Sequence, residues 1–275
     1  MAYNINLNSV IKKYNIIPKK KLGQNFIFDK NILEKIIKNI LPIDDFNLIE
    51  IGPGPGGLTL AVLNKKPKKI ILIEKDIAFK SILEKILLNN NQNTNSLIID
   101  DFLNLDLNKL IDRKTKILSN LPYYLSSQIL IKILPLHKYV EEVIFTFQKE
   151  VAERIISTPN SRKYSRLSVI TQAVCNVERK LNLPAEVFYP IPKVSSTVLA
   201  FSKRQDSVVD DFDTLKVLTR KAFNKRRKKI INSLKGLENI SSFLRQLNIN
   251  ENIRPEQISV DSYCKLANLI YKTKK

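Results

Sequence analysis

The segment Leu48 to Leu60, "LIEIGPGPGGLTL", runs from an apolar stretch through a glycine- and proline-rich turn into a helical pattern, and it holds four of the chain's six glycines. Glycine placed directly after a strand and before a helix lets the backbone turn tightly and approach a ligand closely. Working outward, "NLIEI" (47–51), "KIILIE" (69–74), "SLIID" (96–100) and "TKILSN" (115–120) are short Ile/Leu-rich runs, each followed by a helical or turn-rich segment. That rhythm predicts parallel strands with crossover helices, buried on both faces. Further strands are expected at "EEVIFTF" (141–147), "VERKLNL" (177–183) and "TVLAFSK" (197–203), so the fold class is α/β with an open, doubly wound sheet. Upstream, "DKNILEKIIKNIL" spaces Ile32, Leu33, Ile36, Ile37, Ile40 and Leu41 along one helix face, with Asp29 as its cap.

After the polar stretch "SKRQDSVVDDFD" (202–213) the pattern is helical only, which predicts two domains, residues 1–205 and a small helical one over 210–275. A single basic helix is expected over Lys221 to Lys235. It keeps Leu218, Ala222, Phe223, Ile230 and Leu234 for packing and leaves Lys225, Arg226, Arg227 and Lys229 for phosphates.

The chain has 275 residues and a net charge of +20, which points to a polyanionic partner such as nucleic acid. Two distant cysteines, Cys175 and Cys264, make neither a disulfide framework nor a metal spacing and fit a reducing cytoplasm. No metal site is expected. His137 is the only histidine, so Ser-His and Cys-His catalysis are disfavoured. No apolar run reaches the ~18 residues of a membrane span, and no export signal is evident.

Gly52, Gly54 and Gly57 satisfy G-x-G-x-x-G, so a dinucleotide must be weighed. Two features favour S-adenosylmethionine instead. Glu50 lies where a carboxylate meets a cationic amino-acid moiety and opposes a pyrophosphate, and Pro53 and Pro55 stiffen the turn. Glu74 ends the second strand at the separation suited to a ribose hydroxyl, and Asp100 and Asp101 end the third, where a carboxylate accepts from an adenine amine. "NLPY", Asn120 to Tyr123, lands on the same sheet edge. An exocyclic amine is a poor nucleophile because its lone pair is delocalised into the ring. The Asn120 side-chain carbonyl and a backbone carbonyl of Leu121 or Pro122 can hold both of its hydrogens and turn that lone pair toward a methyl donor. Pro122 fixes the turn and Tyr123 offers a stacking face.

With these blocks the sequence resembles the ribosomal RNA adenine dimethyltransferases, most closely the small-subunit type. The resemblance covers nearly the whole chain: "KKLGQNFIFD" (20–29), "EIGPGPGGLT", "IEKD", "NLPYYLSSQI", "FQKEVAERI" (147–155), "FYPIPKVSSTVLAF" (188–201) and "FNKRRKKIINSL" (223–234). It implies a Rossmann-like class I methyltransferase sheet with a small all-helical C-terminal domain, and dimethylation of two adjacent adenosines near the RNA 3′ end. It further implies that Gln24, Asn25 and Phe26 close over the cofactor, that Gly52 and Gly54 line it, that Glu74 holds its ribose and that Asp101 reaches its adenine. Asn120, Leu121 and Tyr123 would receive the target, with Phe188 as a second stacking ring in a loop that Pro190 and Pro192 keep out of the sheet. Two positions depart from the family pattern: Asp100 replaces a glycine common there, leaving Asp100 and Asp101 as alternatives, and Pro55 replaces a larger apolar residue. The rivals are a large-subunit methylase of the antibiotic-resistance type, a non-catalytic RNA-binding assembly factor and a dinucleotide-dependent dehydrogenase. Partners expected are the small ribosomal subunit RNA and no membrane, with the protein a cytoplasmic monomer.

Overall fold

The computed structural model describes residues 18–19, 23–90, 95–225 and 227–273. The chain divides into two compact units, the first made of the described residues through Ile133, His137–Ala152 and Glu178–Ser202, the second of Leu134–Leu136, Glu153–Val177 and the described residues from Lys203 onward. The second unit takes in more chain than the helical tail after Asp210.

The expected runs form strands β2 (Asn47–Ile51), β3 (Lys69–Glu74), β4 (Ser96–Ile99), β5 (Thr115–Ser119), β6 (Val140–Gln148), β7 (Cys175–Leu183) and β9 (Ser196–Lys203). They make one seven-stranded sheet in the order β4-β3-β2-β5-β6-β9-β7. The pairs β2–β3, β2–β5, β3–β4 and β5–β6 are parallel and β6–β9 is antiparallel. All five residues of β2 and of β5 are buried, which is why these runs read as continuous rather than alternating. The chain moves outward from β2 to β3 and β4, then returns to β5 on the other side of β2. The connections leaving β2 and β5 therefore diverge and open a crevice at their carboxyl ends.

Helix α1 (Lys30–Lys38) is capped as expected, the Asp29 carboxylate accepting from the N–H groups of Asn31 and Ile32. Leu33, Ile36, Ile37 and Ile40 are buried, whereas Leu41 lies past the helix end and is exposed. The glycine turn leads into α2 (Gly57–Leu63), and α3 (Lys80–Leu88), α4 (Tyr123–Ile133) and α5 (Lys149–Ile155) follow β3, β5 and β6 in turn. A small second sheet forms where β1 (Phe26–Ile27) pairs antiparallel with β8 (Phe188–Tyr189). Phe188 was expected in a loop; it is instead strand-paired until Pro190 ends the ladder, and it is 2% exposed within the apolar cluster.

In the second unit, α6 (Arg166–Gln172) packs on α7 (Phe212–Asn224), which also packs on α10 (Val260–Lys272). Asp211 caps α7 through Thr214 N–H, and Ser259 caps α10 through Ser262 N–H. Phe223 sits between the rings of Tyr164 and Tyr263, 6.1 and 5.8 Å from them, and both hydroxyls donate to backbone carbonyls, of Ile258 and Pro255. The expected basic helix over 221–235 is not continuous. Helix α7 stops at Asn224, Lys225 leaves helical geometry, and α8 (Ile230–Ser233) starts afresh after a turn, followed by α9 (Ile240–Gln246). Successive like charges destabilise helical turns, and Ile230 N–H donates to the Ile253 carbonyl instead. Among the described residues no helix is long and apolar enough to cross a membrane.

Lys116, the second residue of β5, is buried, and its ammonium donates to the Ile40 carbonyl at 2.8 Å and to Glu142 at 3.2 Å and lies over the Phe46 ring. Lys116→Ala leaves that carbonyl and carboxylate without their donor, and urea denaturation should register a loss of roughly 2–4 kcal/mol. Lys116→Met, which refills the volume, should lose less.

Candidate functional site

A cavity of about 1010 Å³, open mouth included, occupies the crevice at the carboxyl ends of β2 to β5. Its floor is the glycine turn. Gly52, Gly54 and Gly56 all have φ between +55° and +86°, where side chains are strained, but they differ in what surrounds them. A Cβ on Gly54 would stand 2.8 Å from the Phe26 ring, whereas one on Gly52 would meet nothing within 4 Å. Gly54 is thus a packing glycine under β1, and Gly52 faces open space.

Strand register brings the acids to this floor. Glu50 is 1% exposed, and Thr59 donates to its carboxylate at 2.7 Å. Burial, opposed by the Thr59 bond and reinforced by the charge of Glu74, pushes its carboxyl up to about 8. Glu74 bridges two backbone donors, Gly54 N–H at 2.9 Å and Asp76 N–H at 2.7 Å, so it clamps the glycine turn to the end of β3. Burial raises its carboxyl against those bonds. Asp100 and Asp101 follow β4, and both line the cavity. They differ in commitments. Asp101 accepts from Lys75 at 2.7 Å and from Leu103 N–H, which hold its carboxyl below the ordinary range, while Asp100 accepts from the N–H of Asp101 and from Asn104.

The segment before β1 lies over this floor. Gln24, Asn25 and Phe26 all line the cavity. Gln24 donates to Asp76 at 3.0 Å, and the Asn25 amide donates to the Gly23 carbonyl at 3.0 Å. Asn120, directly after β5, donates its Nδ2 to the backbone carbonyl of Asn25 at 2.9 Å. Among the described residues nothing donates to its Oδ1, so the side chain is held by its donor end with its acceptor unspent. Ser119 anchors this turn by donating to the Ile51 carbonyl at the end of β2.

Of the residues expected at the target, Asn120, Leu121 and Pro122 line the cavity. Tyr123 and Phe188 do not. Tyr123 is half-buried, its hydroxyl bonded to Ser196 at 2.7 Å, and burial raises its phenol. The exposed rings here are Tyr124, which lines the cavity, and Tyr189. Of the basic set, Lys225, Arg227 and Lys229 are exposed in the turn between α7 and α8, Lys229 donating to Asn252, and Arg226 lies outside the described residues. The sequence reading missed Asp76, Lys75 and Tyr124. Asp76 stands two residues beyond Glu74, a spacing that offered a signal; Tyr124 offered none, since it repeats the residue before it.

The wall chemistry suits a particular ligand. A deep carboxylate favours a cation, acids at two further strand ends accept from hydroxyl or amine groups, and Phe79 and Phe102 supply apolar surface. A pyrophosphate would meet this row of carboxylates, and the cationic side chain on the wall, Lys75, is already paired with Asp101. Among the described residues no group of three or more His, Cys, Asp or Glu can hold a metal ion.

The family model described as "Ribosomal RNA adenine dimethylase" matches residues 17–272. A protein of Ehrlichia canis named "Ribosomal RNA small subunit methyltransferase A" is 40% identical over 259 residues, covering 93% of this chain and 98% of its own. One of the same name from Mycoplasma mobile is 38% identical over 249 residues, 89% of this chain and 95% of its own. Among solved structures, a dimethyladenosine transferase from Plasmodium falciparum superposes with a TM-score of 0.75 at 24% identity, covering 90% of this chain and 98% of that one. The 23S rRNA methyltransferase ErmE gives 0.65 at 20% identity, covering 90% and 99%. Those two likenesses identify the fold, a class I methyltransferase sheet, and the family model and the sequence relatives carry the assignment further: the chain belongs to the ribosomal RNA adenine dimethylase family.

Proposed function

We propose that the protein transfers methyl groups from S-adenosylmethionine to the exocyclic amines of two adjacent adenosines near the 3′ end of small-subunit ribosomal RNA. The observation that carries this reading is Asn120 on the wall of an acid-lined cavity, held by its amide donor at the end of β5, with no donor to its Oδ1 among the described residues. Its small-subunit target is supported by the names of the sequence relatives. Glu50 would hold the cationic amino-acid end of the cofactor, Gly52 and Gly54 its middle, Glu74 the ribose, and Asp100 or Asp101 the adenine amine. The bound cofactor supplies an already activated sulfonium methyl, so the protein's task is placement. Asn120 Oδ1 and the Leu121 or Pro122 carbonyl accept the two amine hydrogens and expose the lone pair. Tyr123, with Tyr124 beside it on the cavity wall, offers the stacking surface for an unpaired base. Residues 1–205 would carry transfer, and the helical part from 210 onward would meet RNA phosphates through Lys225, Arg226, Arg227 and Lys229. We further propose that the protein works as a cytoplasmic monomer.

Incubation with labelled S-adenosylmethionine and separated unmodified ribosomal particles, followed by nucleoside analysis, should yield dimethyladenosine in small-subunit RNA alone. Label in large-subunit RNA would move the reading to the resistance-type methylases. Asn120→Ala should lower methyl transfer by roughly 100-fold or more while leaving cofactor binding within a few-fold, as measured by titration.

The free protein holds a proton on Glu50 below about pH 8, and a cationic ligand favours the ionised carboxylate. Binding therefore releases a proton below that pH, so cofactor affinity should rise with pH towards about 8, by up to ~10-fold per unit, and decline beyond it as the ligand's own α-amino group loses its charge. Glu50→Gln should bind weakly and without that slope; calorimetry across pH checks both.

Replacing Lys225, Arg227 and Lys229 by alanine should make RNA affinity less salt-dependent, the log–log slope falling by about 1 for each phosphate no longer neutralised. An unchanged slope would remove this turn from the RNA surface.

A further inference from the structure

Asp76 belongs to none of the roles assigned above, yet it is the most heavily engaged carboxylate at the cavity. Its residue is 7% exposed, and one oxygen accepts from the Lys19 ammonium at 2.8 Å and the Ala78 N–H at 3.1 Å, the other from Gln24 at 3.0 Å. Lys19 N–H in turn donates to Gln24 Oε1 at 2.8 Å, closing a ring of bonds around one carboxylate. Burial alone would raise this carboxyl, and the Lys19, Ala78 and Gln24 donors together hold it below the ordinary range.

Residues 23–25, the strap thus held before β1, are half-buried. At its far end β1 pairs with β8, and between the two anchorages lies Asn25, whose carbonyl receives the Asn120 amide. Gly23, at φ +58°, makes the turn that lets the Asn25 side chain reach back to the Gly23 carbonyl. The latched Gln24 on one side and the strand-paired Phe26 on the other restrain the Asn25 carbonyl, which keeps only its own two soft dihedrals. At its other side Asp76 is tied by its own N–H to Glu74.

We infer that Asp76 is a positioning residue for the methyl transfer proposed above: by latching Lys19 and Gln24 it fixes the Asn25 carbonyl that sets the orientation of the Asn120 amide. The inference rests on that reading of Asn120. Without the latch the strap swings, the Asn120 amide loses its anchor and its acceptor no longer holds one place. The base still reaches the site, so the defect falls on turnover rather than on capture of RNA.

Asp76→Ala in the full chain, assayed at saturating methyl donor on unmodified small-subunit particles, should lower kcat by roughly 10- to 100-fold with KM for RNA within about threefold. Amide hydrogen exchange at Phe26 and Ile27, which pair with β8, measured without donor or RNA, should lose protection in the same variant. Asp76→Asn, which keeps the shape and removes the charge facing Lys19, should fall between it and the wild type, and serves if the alanine variant does not fold. Wild-type kcat despite unprotected amides, or unchanged protection, would overturn the inference. A wild-type protein that transfers no methyl to any ribosomal RNA would instead fail the functional reading, and the exchange measurement would still decide whether Asp76 holds the strap.

Discussion

The parallel pairing of β2 with β3 on one side and β5 on the other sets where every group at the cavity stands. Register aligns Glu50 with Leu72 and with Leu118, so the three strands end nearly level. Each strand then contributes the residue at its carboxyl end: Glu50 and the glycine turn from β2, Glu74 from β3, Ser119 and Asn120 from β5. A slip of one residue in β5 would exchange the faces of all its side chains, sending Asn120 away from the cavity and Lys116 out of its place between Ile40 and Glu142. The Ile/Leu content of these strands makes such a slip costly, because both faces are buried.

The connections across strand ends are what turn a level edge into a defined site. Glu74 joins the glycine turn to the backbone after β3, Ser119 joins β5 to β2, and Asn120 joins β5 to the strap before β1. These bonds are polar and mostly buried, in surroundings where an unmade bond is expensive. The bonds that hold the glycine turn are buried, and those that hold Gln24 and Asn25 are only partly so.

The strands, the glycine turn and the acids at strand ends were legible in the sequence because they depend on local pattern: short Ile/Leu-rich runs, glycine after a strand, a carboxylate at or beside a run's last place. What was hidden depends on partners distant in sequence. Lys116 reads as an ordinary polar residue in "TKILSN", and only partners distant in sequence, the Ile40 carbonyl, Glu142 and the Phe46 ring, explain its burial. The pairing of Phe188 with Ile27 spans the length of the first unit, and its prolines suggested a loop when they only end a two-residue ladder. The break after Asn224 was obscured because lysine and arginine are good helix formers one at a time; five in succession are not.

Asn120 commits its Nδ2 to the Asn25 carbonyl, and that bond decides which end of the amide carries the acceptor. An amide free to rotate by half a turn would greet an amine or a carbonyl equally well. Held by its donor, and in the role proposed for it, its oxygen would accept from the amine of adenine and would face oxygen to oxygen a carbonyl that guanine or hypoxanthine offered at the same position. On the proposed reading, discrimination between an amino and a keto base would rest on one main-chain carbonyl on a segment 95 residues away.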